Sequence, residues 1–412
     1  MSKRRVKKRK LKKKFKMIIL LFIIVLGVFG FFFFKDSSFF HKKEVKKVKE
    51  KIKKVVEKKP KEYTATVFMV GDALIHYGVY HDAQQADGTY DFKPMLEYMK
   101  PIVSKYDIAY YNQETILGGD NLGISSYPRF NTPQSEGEAF LDAGFNMVSL
   151  ASNHTMDKGE QGVLNSVAYW KSKKDVAYSG QWSSFDDRAE QIAKVYEVNG
   201  IKYGYISYTT WTNGLNPPAG KEYLTNIYSD EKAKEDIEKV RDKVDIVLVA
   251  MHWGTEYSLG VSYDQEKIAN YLSELGVDVI IGAHPHVVEP VEFINDGKTF
   301  VIYSLGNFIS DQDGTERLTG LMSEITIKKH IDEEDNVTIS LDNPRCELVY
   351  TYATRRPNSY NKNFRLYSYA KLNDNLLPNY QSYYDKYKGI VSSRYSELTW
   401  GLSEEWLDGN LK

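Results

Sequence analysis

Between residues 63 and 330 the chain alternates short, β-branched apolar runs with longer stretches of mixed polarity. Runs of four or five apolar residues bounded by glycine or polar groups read as buried strands, and the stretches between them are long enough for helices. Residues 67–70, 108–111, 147–151, 247–251, 277–281 and 301–304 are the six clearest runs. This alternation predicts an α/β domain. Residues 277–281 predict an interior strand of a parallel sheet that stops at Gly282. His284 and His286 come next, with only Pro285 between them. A residue before proline is pushed toward extended backbone, so two imidazoles on a stiff turn could each reach a metal ion.

The polar residues just beyond each run carry the chemistry. The first run leads into Asp72, the second into Asn112-Gln113-Glu114, and the third into Asn153-His154 with Asp157 beyond. The fourth leads into His252 and then Glu256, the fifth into His284 and His286, and the sixth into Leu305-Gly306-Asn307. In open α/β sheets ligands sit outside the carboxyl ends of the strands, so these side chains would surround one crevice. The set Asp72, Glu114, Asn153, His252, His284 and His286 offers oxygen and imidazole without thiolate. That suits one or two divalent ions of Mn, Fe or Zn type bridged by a carboxylate, rather than a structural zinc site built from cysteines. His154, with Asp157 near it, stands where a general acid for a leaving oxygen would be. Each residue singly is better explained by a capped turn or a satisfied core polar group; the set is not.

Charge divides the chain. Residues 1–62 hold 23 Lys/Arg and 5 Asp/Glu, a balance of +18, so the rest of this net-neutral chain carries −18. Residues 1–16 form a basic tail, and residues 17–34 are an uninterrupted apolar run of 18, the short end of what spans a bilayer. The positive-inside bias puts the N-terminus in the cytoplasm and the main domain outside a cell membrane crossed once. The flank after the run lacks the small-x-small pattern of signal-peptidase cleavage, which favours an uncleaved signal anchor. Residues 35–62 are a lysine-rich spacer in which Val45, Val48, Ile52 and Val55 mark one stripe of a helix. The stripe could pair two chains as a homodimer or lie on the bilayer; a solvated stalk is the simplest reading. The acidic body argues against nucleic-acid partners. Cys346 is the single cysteine, which excludes an intramolecular disulfide.

The motifs GDALIH, NQET, ASNHTMDKG, MHWGTEY, GAHPHVVEP and YSLGNFISDQ, in that order over about residues 66–312, resemble the CapA/PgsA family of capsule synthesis proteins. That resemblance implies a metallophosphatase-like multilayer α/β sandwich over residues 63–330, preceded by the transmembrane helix. It also implies a membrane-anchored role in capsule or poly-γ-glutamate biosynthesis, alongside the capsule polymer and synthase subunits. Within the wider metallophosphatase superfamily it implies that Asp72 and His286 ligate a first metal. Glu114 would bridge, Asn153, His252 and His284 would ligate a second, and His154 would be the acid. The resemblance departs at Leu74, where the superfamily has a histidine, and at Glu114, where it has an aspartate.

Two further features bear on a substrate. Arg129, in SYPRFNTP between the second and third motifs, could pair a carboxylate or phosphate, and Asn307, just beyond the sixth run, is a second substrate-binding candidate. Residues 331–412 read as a tyrosine-rich C-terminal extension packed on the domain, with ten tyrosines between 350 and 400. The site reads as a metal-dependent hydrolase or transferase; the alternative is a non-catalytic polymer-binding or export subunit.

Overall fold

A computed structural model describes residues 59–403. The basic tail, the apolar run at 17–34 and the spacer stripe lie outside the described residues. Among the described residues no helix is long and apolar enough to cross a membrane. Glu62–His330 and residues 337–403 form one compact unit, and Ile331–Asn336 fall outside it.

The chain builds one sheet, leaves it for a second, and returns. Strands β1 (Lys61–Ala73), β2 (Ile108–Asn112), β3 (Met147–Ser149) and β4 (Ala177–Ser179) come first, side by side and parallel. The second sheet takes β5 (Tyr196–Val198), β6 (Ile201–Thr209), β7 (Ile246–His252), β8 (Val279–Ala283), β9 (Val291–Ile294) and β10 (Thr299–Ile302), in the order β5-β6-β7-β8-β10-β9. The chain then re-enters the first sheet through β11 (Asn307–Ile309), β12 (Thr319–Ile331), β13 (Val337–Thr354), β14 (Lys362–Ser368) and β15 (Thr399–Trp400). That sheet runs β14-β13-β12-β1-β2-β3-β4, with β11 on β1 and β15 on β13. Residues 337–354 and 362–368 therefore extend the same sheet, and the division drawn at residue 330 falls in the last residues of β12. Strand β8 pairs parallel with β7 and β10, the interior position its β-branched run predicts, and continues through Gly282 to Ala283.

The apolar periodicity explains the layering. In β1, Ala65, Val67 and Met69 face a core between the two sheets, while Phe68 and Val70 face the opposite way. In β7, Ile246, Leu248 and Ala250 enter the same central core, and Val247, Val249 and Met251 turn outward. Strands buried on both faces need helices outside them. α1 (Tyr77–Ala83), α2 (Ser135–Ala143) and α3 (Gly159–Lys171) supply Val79, Phe140 and Trp170 to the outer face of the first sheet. α4 (Phe185–Ile192), α5 (Asp230–Arg241) and α6 (Tyr263–Glu274) supply Ile192, Ile237 and Leu272 to the outer face of the second. The result is a helix-sheet-sheet-helix sandwich, with each fully buried Val, Leu or Ile contributing about 1.5–3 kcal/mol. From α7 (Tyr380–Val391), Tyr387 and Val391 join Tyr369 in the central core, so much of the tyrosine-rich segment is packing.

Candidate metal centre

The first sheet delivers three polar residues in register. Asp72 at the end of β1 lies opposite Asn112 of β2 on one side and Asn307 of β11 on the other. This alignment requires Gly71, because a Cβ there would lie 1.7 Å from the Gly306 carbonyl oxygen. The next residue then donates its Asp72 N–H to that same carbonyl at 2.9 Å. The second sheet delivers His252 at the end of β7, opposite Ala283 of β8, and the His284–His286 turn comes directly after β8. That turn is not extended: His284 has φ +99° and His286 φ +61°. Tertiary packing overrides the pre-proline preference, at a strain that such conformations carry at functional sites (of order 1–3 kcal/mol per residue).

The two sheets meet at Glu114. Its carboxylate is fully buried, and neither oxygen has a hydrogen-bond partner. Glu114, His252 and His284 form one group of donor atoms lying within 4.8 Å of one another, and Asp72, Glu114 and His286 form a second. Glu114 belongs to both. A third group joins His284 and His286 to the exposed Glu256. Nδ1 of His284 is also buried and unpartnered. Buried polar atoms without partners cost about 1–3 kcal/mol each, so a cluster of them is the mark of an ion's place. Oxygen and imidazole donors fit a divalent metal.

Neighbouring amides set the donors. Asn112 Nδ2 donates to Asp72 Oδ1 at 2.8 Å and lies 3.3 Å from His252 Nδ1. Asn153 Oδ1 lies 3.0 Å from His252 Nε2, so the structure brings Asn153 beside the donor group of Glu114, His252 and His284. His286 Nδ1 lies 3.0 Å from Asn307 Oδ1 and 3.3 Å from Asp72 Oδ2, and its Nε2 lies 3.6 Å from Glu114 Oε1. Burial drives the Glu114 carboxyl well above the usual range, against the nearby His286. Burial pulls the His286 imidazolium down, but Glu114 and Asp72 outweigh it and push it up to about 9. His284 is lowered to about 3 by burial and then by His286. Burial also takes His252 well below the ordinary histidine value. Burial thus disfavours charge on Glu114, His252 and His284, while the neighbouring carboxylates favour it on His286.

Beside this cluster His154 Nδ1 meets Asp157 Oδ2 at 2.7 Å. The same oxygen accepts the Phe130 backbone N–H at 2.7 Å, and the Phe130 ring stands edge-on to His154 at 4.7 Å. Phe130 comes after Arg129, which is exposed and makes no ion pair among the described residues. Asn307 is buried, and its amide donates to Gln312 Oε1 at 2.9 Å and to the Arg317 carbonyl at 2.8 Å. It holds His286 and is not open to a substrate. Leu74 is buried, and His76 Nδ1 donates to the Leu74 carbonyl at 3.1 Å and lies 3.4 Å from Ser310 Oγ. His76 is lowered to about 4 by burial and then by His286, so it lies beside the site without entering any donor group. Sequence reasoning named Asn112 only as part of a strand end and missed Phe130; the register with Asp72 is what gives Asn112 its role.

A two-sheet α/β sandwich that gathers carboxylates and imidazoles at its strand ends defines a protein with the donors for a divalent-metal centre. Residues 66–312 match the bacterial capsule synthesis protein family PGA_cap, and the chain belongs to that family. It is 28% identical over 239 residues to the PGA biosynthesis protein CapA of Bacillus subtilis (strain 168), covering 57% of this chain and 62% of that protein. To the capsule biosynthesis protein CapA of Bacillus anthracis it is 27% identical over 284 residues, 67% of this chain and 66% of that protein. In both cases the chain spans just under two thirds of the relative. Among solved structures, a phosphatase from Mycoplasma pneumoniae aligns with a TM-score of 0.41 at 15% identity, covering 68% of this chain and 94% of that one.

Proposed function

We propose that this protein is a membrane-anchored, extracellular component of capsule, poly-γ-glutamate or related envelope-polymer biosynthesis, with a metallophosphatase-like, metal-dependent hydrolase or transferase site. The observation that carries the reading is Glu114, a buried carboxylate without hydrogen bonds shared by two donor groups. Asp72, Glu114 and His286 would hold one ion of Mn, Fe or Zn type. Glu114, Asn153, His252 and His284 would hold a second. When bound, such ions polarise a substrate oxygen and clamp the attacking and leaving oxygens of a displacement.

The protein's own residues supply the rest. His154 keeps Nδ1 on Asp157, which fixes its tautomer and leaves Nε2 to hand a proton to the leaving oxygen. Asp157 stabilises the imidazolium, and the Phe130 N–H holds Asp157 in place. Arg129, exposed and unpaired, takes an anionic group of the substrate. Residues 17–34 would anchor the chain with its N-terminus in the cytoplasm; a second copy would pair through the spacer outside the membrane, and synthase subunits are the further partners proposed. The test is turnover of bis(p-nitrophenyl) phosphate and of γ-glutamyl-p-nitroanilide by the metal-loaded full chain. His154→Ala lowers kcat by roughly 100-fold or more while metal content stays unchanged. Equal turnover by variant and parent would remove His154 from the role. The buried Leu74 in the first donor region favours the second reading, a polymer-binding subunit without catalysis. Metal uptake with polymer binding but no turnover would establish it.

A further inference from the structure

The loop that follows β6 touches one of the two donor groups and not the other. Thr210 donates its backbone N–H to the His252 carbonyl at 3.0 Å and its Oγ1 to the same oxygen at 3.3 Å. Trp211 sets its ring edge-on to His284, with centroids 6.0 Å apart. Asn213 Oδ1 accepts a hydrogen bond from Asn153 Nδ2 at 3.4 Å. Three of four consecutive residues thus reach His252, His284 and Asn153, which with Glu114 are the residues given to one ion. Among the described residues no hydrogen bond or ring contact runs from residues 210–213 to Asp72 or His286.

Several ties hold this loop in place. Thr209 Oγ1 donates to the Trp211 carbonyl at 2.8 Å, Thr212 Oγ1 to Asn216 Oδ1 at 3.0 Å, and the Leu215 N–H to the Thr212 carbonyl at 2.8 Å. Further along, Leu215 packs on a small core that includes Ile116, Met156 and Val163. Lys221 Nζ then pairs with both carboxylate oxygens of Glu160, at 2.6 and 2.7 Å. With both ends fixed, residues 211 and 213 are held against the ends of β3, β7 and β8. Groups that orient metal ligands in this way are worth roughly 10–100-fold in metal affinity.

The role of Asn213 follows from the chemistry of an amide. Asn153 can meet a cation only through Oδ1, because its NH2 end is a donor. The two ends have nearly the same shape, so what each end meets decides which one faces inward. Oδ1 lies 3.0 Å from His252 Nε2, and the NH2 end donates outward to Asn213. Asn153 is buried, whereas Asn213 is exposed and has φ +50°, a left-handed conformation that asparagine and aspartate tolerate and glycine adopts freely. Asn213 thus combines that backbone with an acceptor. We propose that residues 210–213 are the positioning element of the Glu114, His252 and His284 group. Asn213 keeps Asn153 Oδ1 turned inward and Trp211 holds the His284 ring, so the loop sets the affinity of the ion held there and not that of the ion held by Asp72, Glu114 and His286.

The inference rests on the proposed function in taking both groups as ion sites, and its test is metal binding, not turnover. The full chain is stripped with a chelator and titrated with Mn²⁺ by calorimetry. Asn213→Gly keeps the left-handed backbone, removes the acceptor and weakens one bound ion by roughly tenfold or more. Asn213→Asp keeps backbone and acceptor and binds as tightly as the parent or more so. In a His286→Ala chain Asn213→Gly weakens the ion that remains; in a His252→Ala chain it changes nothing. Quenching of the Trp211 share of the emission, read as parent minus Trp211→Phe, follows the ion that Asn213→Gly weakens. Unaltered circular dichroism and melting temperature of the metal-free variants exclude misfolding as the cause. If parent and Asn213→Gly bind Mn²⁺ alike, if both ions weaken equally, or if Asn213→Asp is as weak as Asn213→Gly, the inference is overturned and the metal reading stands. A parent that binds no Mn²⁺ overturns both.

Discussion

Glu289 gives a stability prediction whose sign and size both come from the structure. It closes the turn that carries His284 and His286, fully buried, with Oε2 accepting a 2.6 Å hydrogen bond from Gln265 Nε2. Gln265 itself sits in the first turn of α6, where it completes a capping box with Ser262. Oε1 has no partner. Burial raises the carboxyl from its ordinary 4.5 to about 8, against the Gln265 bond and Arg394. An acid raised on folding binds its proton more tightly in the folded state. Its contribution is therefore fully present below about pH 4.5 and is lost as pH rises through about 8. Glu289→Gln keeps the shape and removes the titration. The stability of the variant relative to the parent should then grow by roughly 3 kcal/mol between pH 5.5 and 8.5, at about 1.4 kcal/mol per pH unit within the window. Urea unfolding of both proteins at the two pH values measures it. A difference that does not change with pH would refute the reasoning, because it would mean that Glu289 ionises alike in both states.

Other expectations concern the cleft. Gly71→Ala puts a Cβ 1.7 Å from Gly306 O and should cost roughly 2–5 kcal/mol and much of the metal uptake, whereas Gly260→Ala, with nothing within 4 Å, should be neutral by melting temperature and elemental analysis. His286, held protonated up to about pH 9, must lose its proton to ligate. Metal binding at pH 7.5 should release protons, seen as a dependence of calorimetric heat on buffer ionisation enthalpy, and affinity should rise with pH up to about 9.

Much of this fold and site was legible in the sequence, for identifiable reasons. The six apolar runs are β-branched and buried on both faces, so β1, β2, β3, β7, β8 and β10 each contain or overlap one. Asp72, Glu114, Asn153, His252, His284 and His286 stand out because a polar side chain at the end of a buried strand needs a partner, and these six come from only five strand ends. Periodicity does not say which sheet a strand joins, so the excursion of β5 to β10 into a second sheet was hidden. The candidate metal site is consequently a meeting of two sheets, not the edge of one. Register was hidden as well, and it alone turns Asn112 and Asn307 from strand ends into the amides that hold Asp72, His252 and His286. The backbone of His284, at φ +99°, goes against its pre-proline preference, which the local sequence could not reveal. Arg129 was visible as a residue type in a loop; its neighbour Phe130, which fixes Asp157 through a backbone N–H, has no sequence signal at all.

The central claim is that Glu114 and the surrounding imidazoles hold a divalent metal. Elemental analysis of the full chain, purified after supply of Mn, Fe and Zn, beside a His284→Ala/His286→Ala variant, tests it most directly. The expected result is at least one equivalent of a transition metal per chain, two if both donor groups fill, and its loss in the variant. A parent chain that carries no metal under those conditions, or a variant that carries as much as the parent, would contradict it.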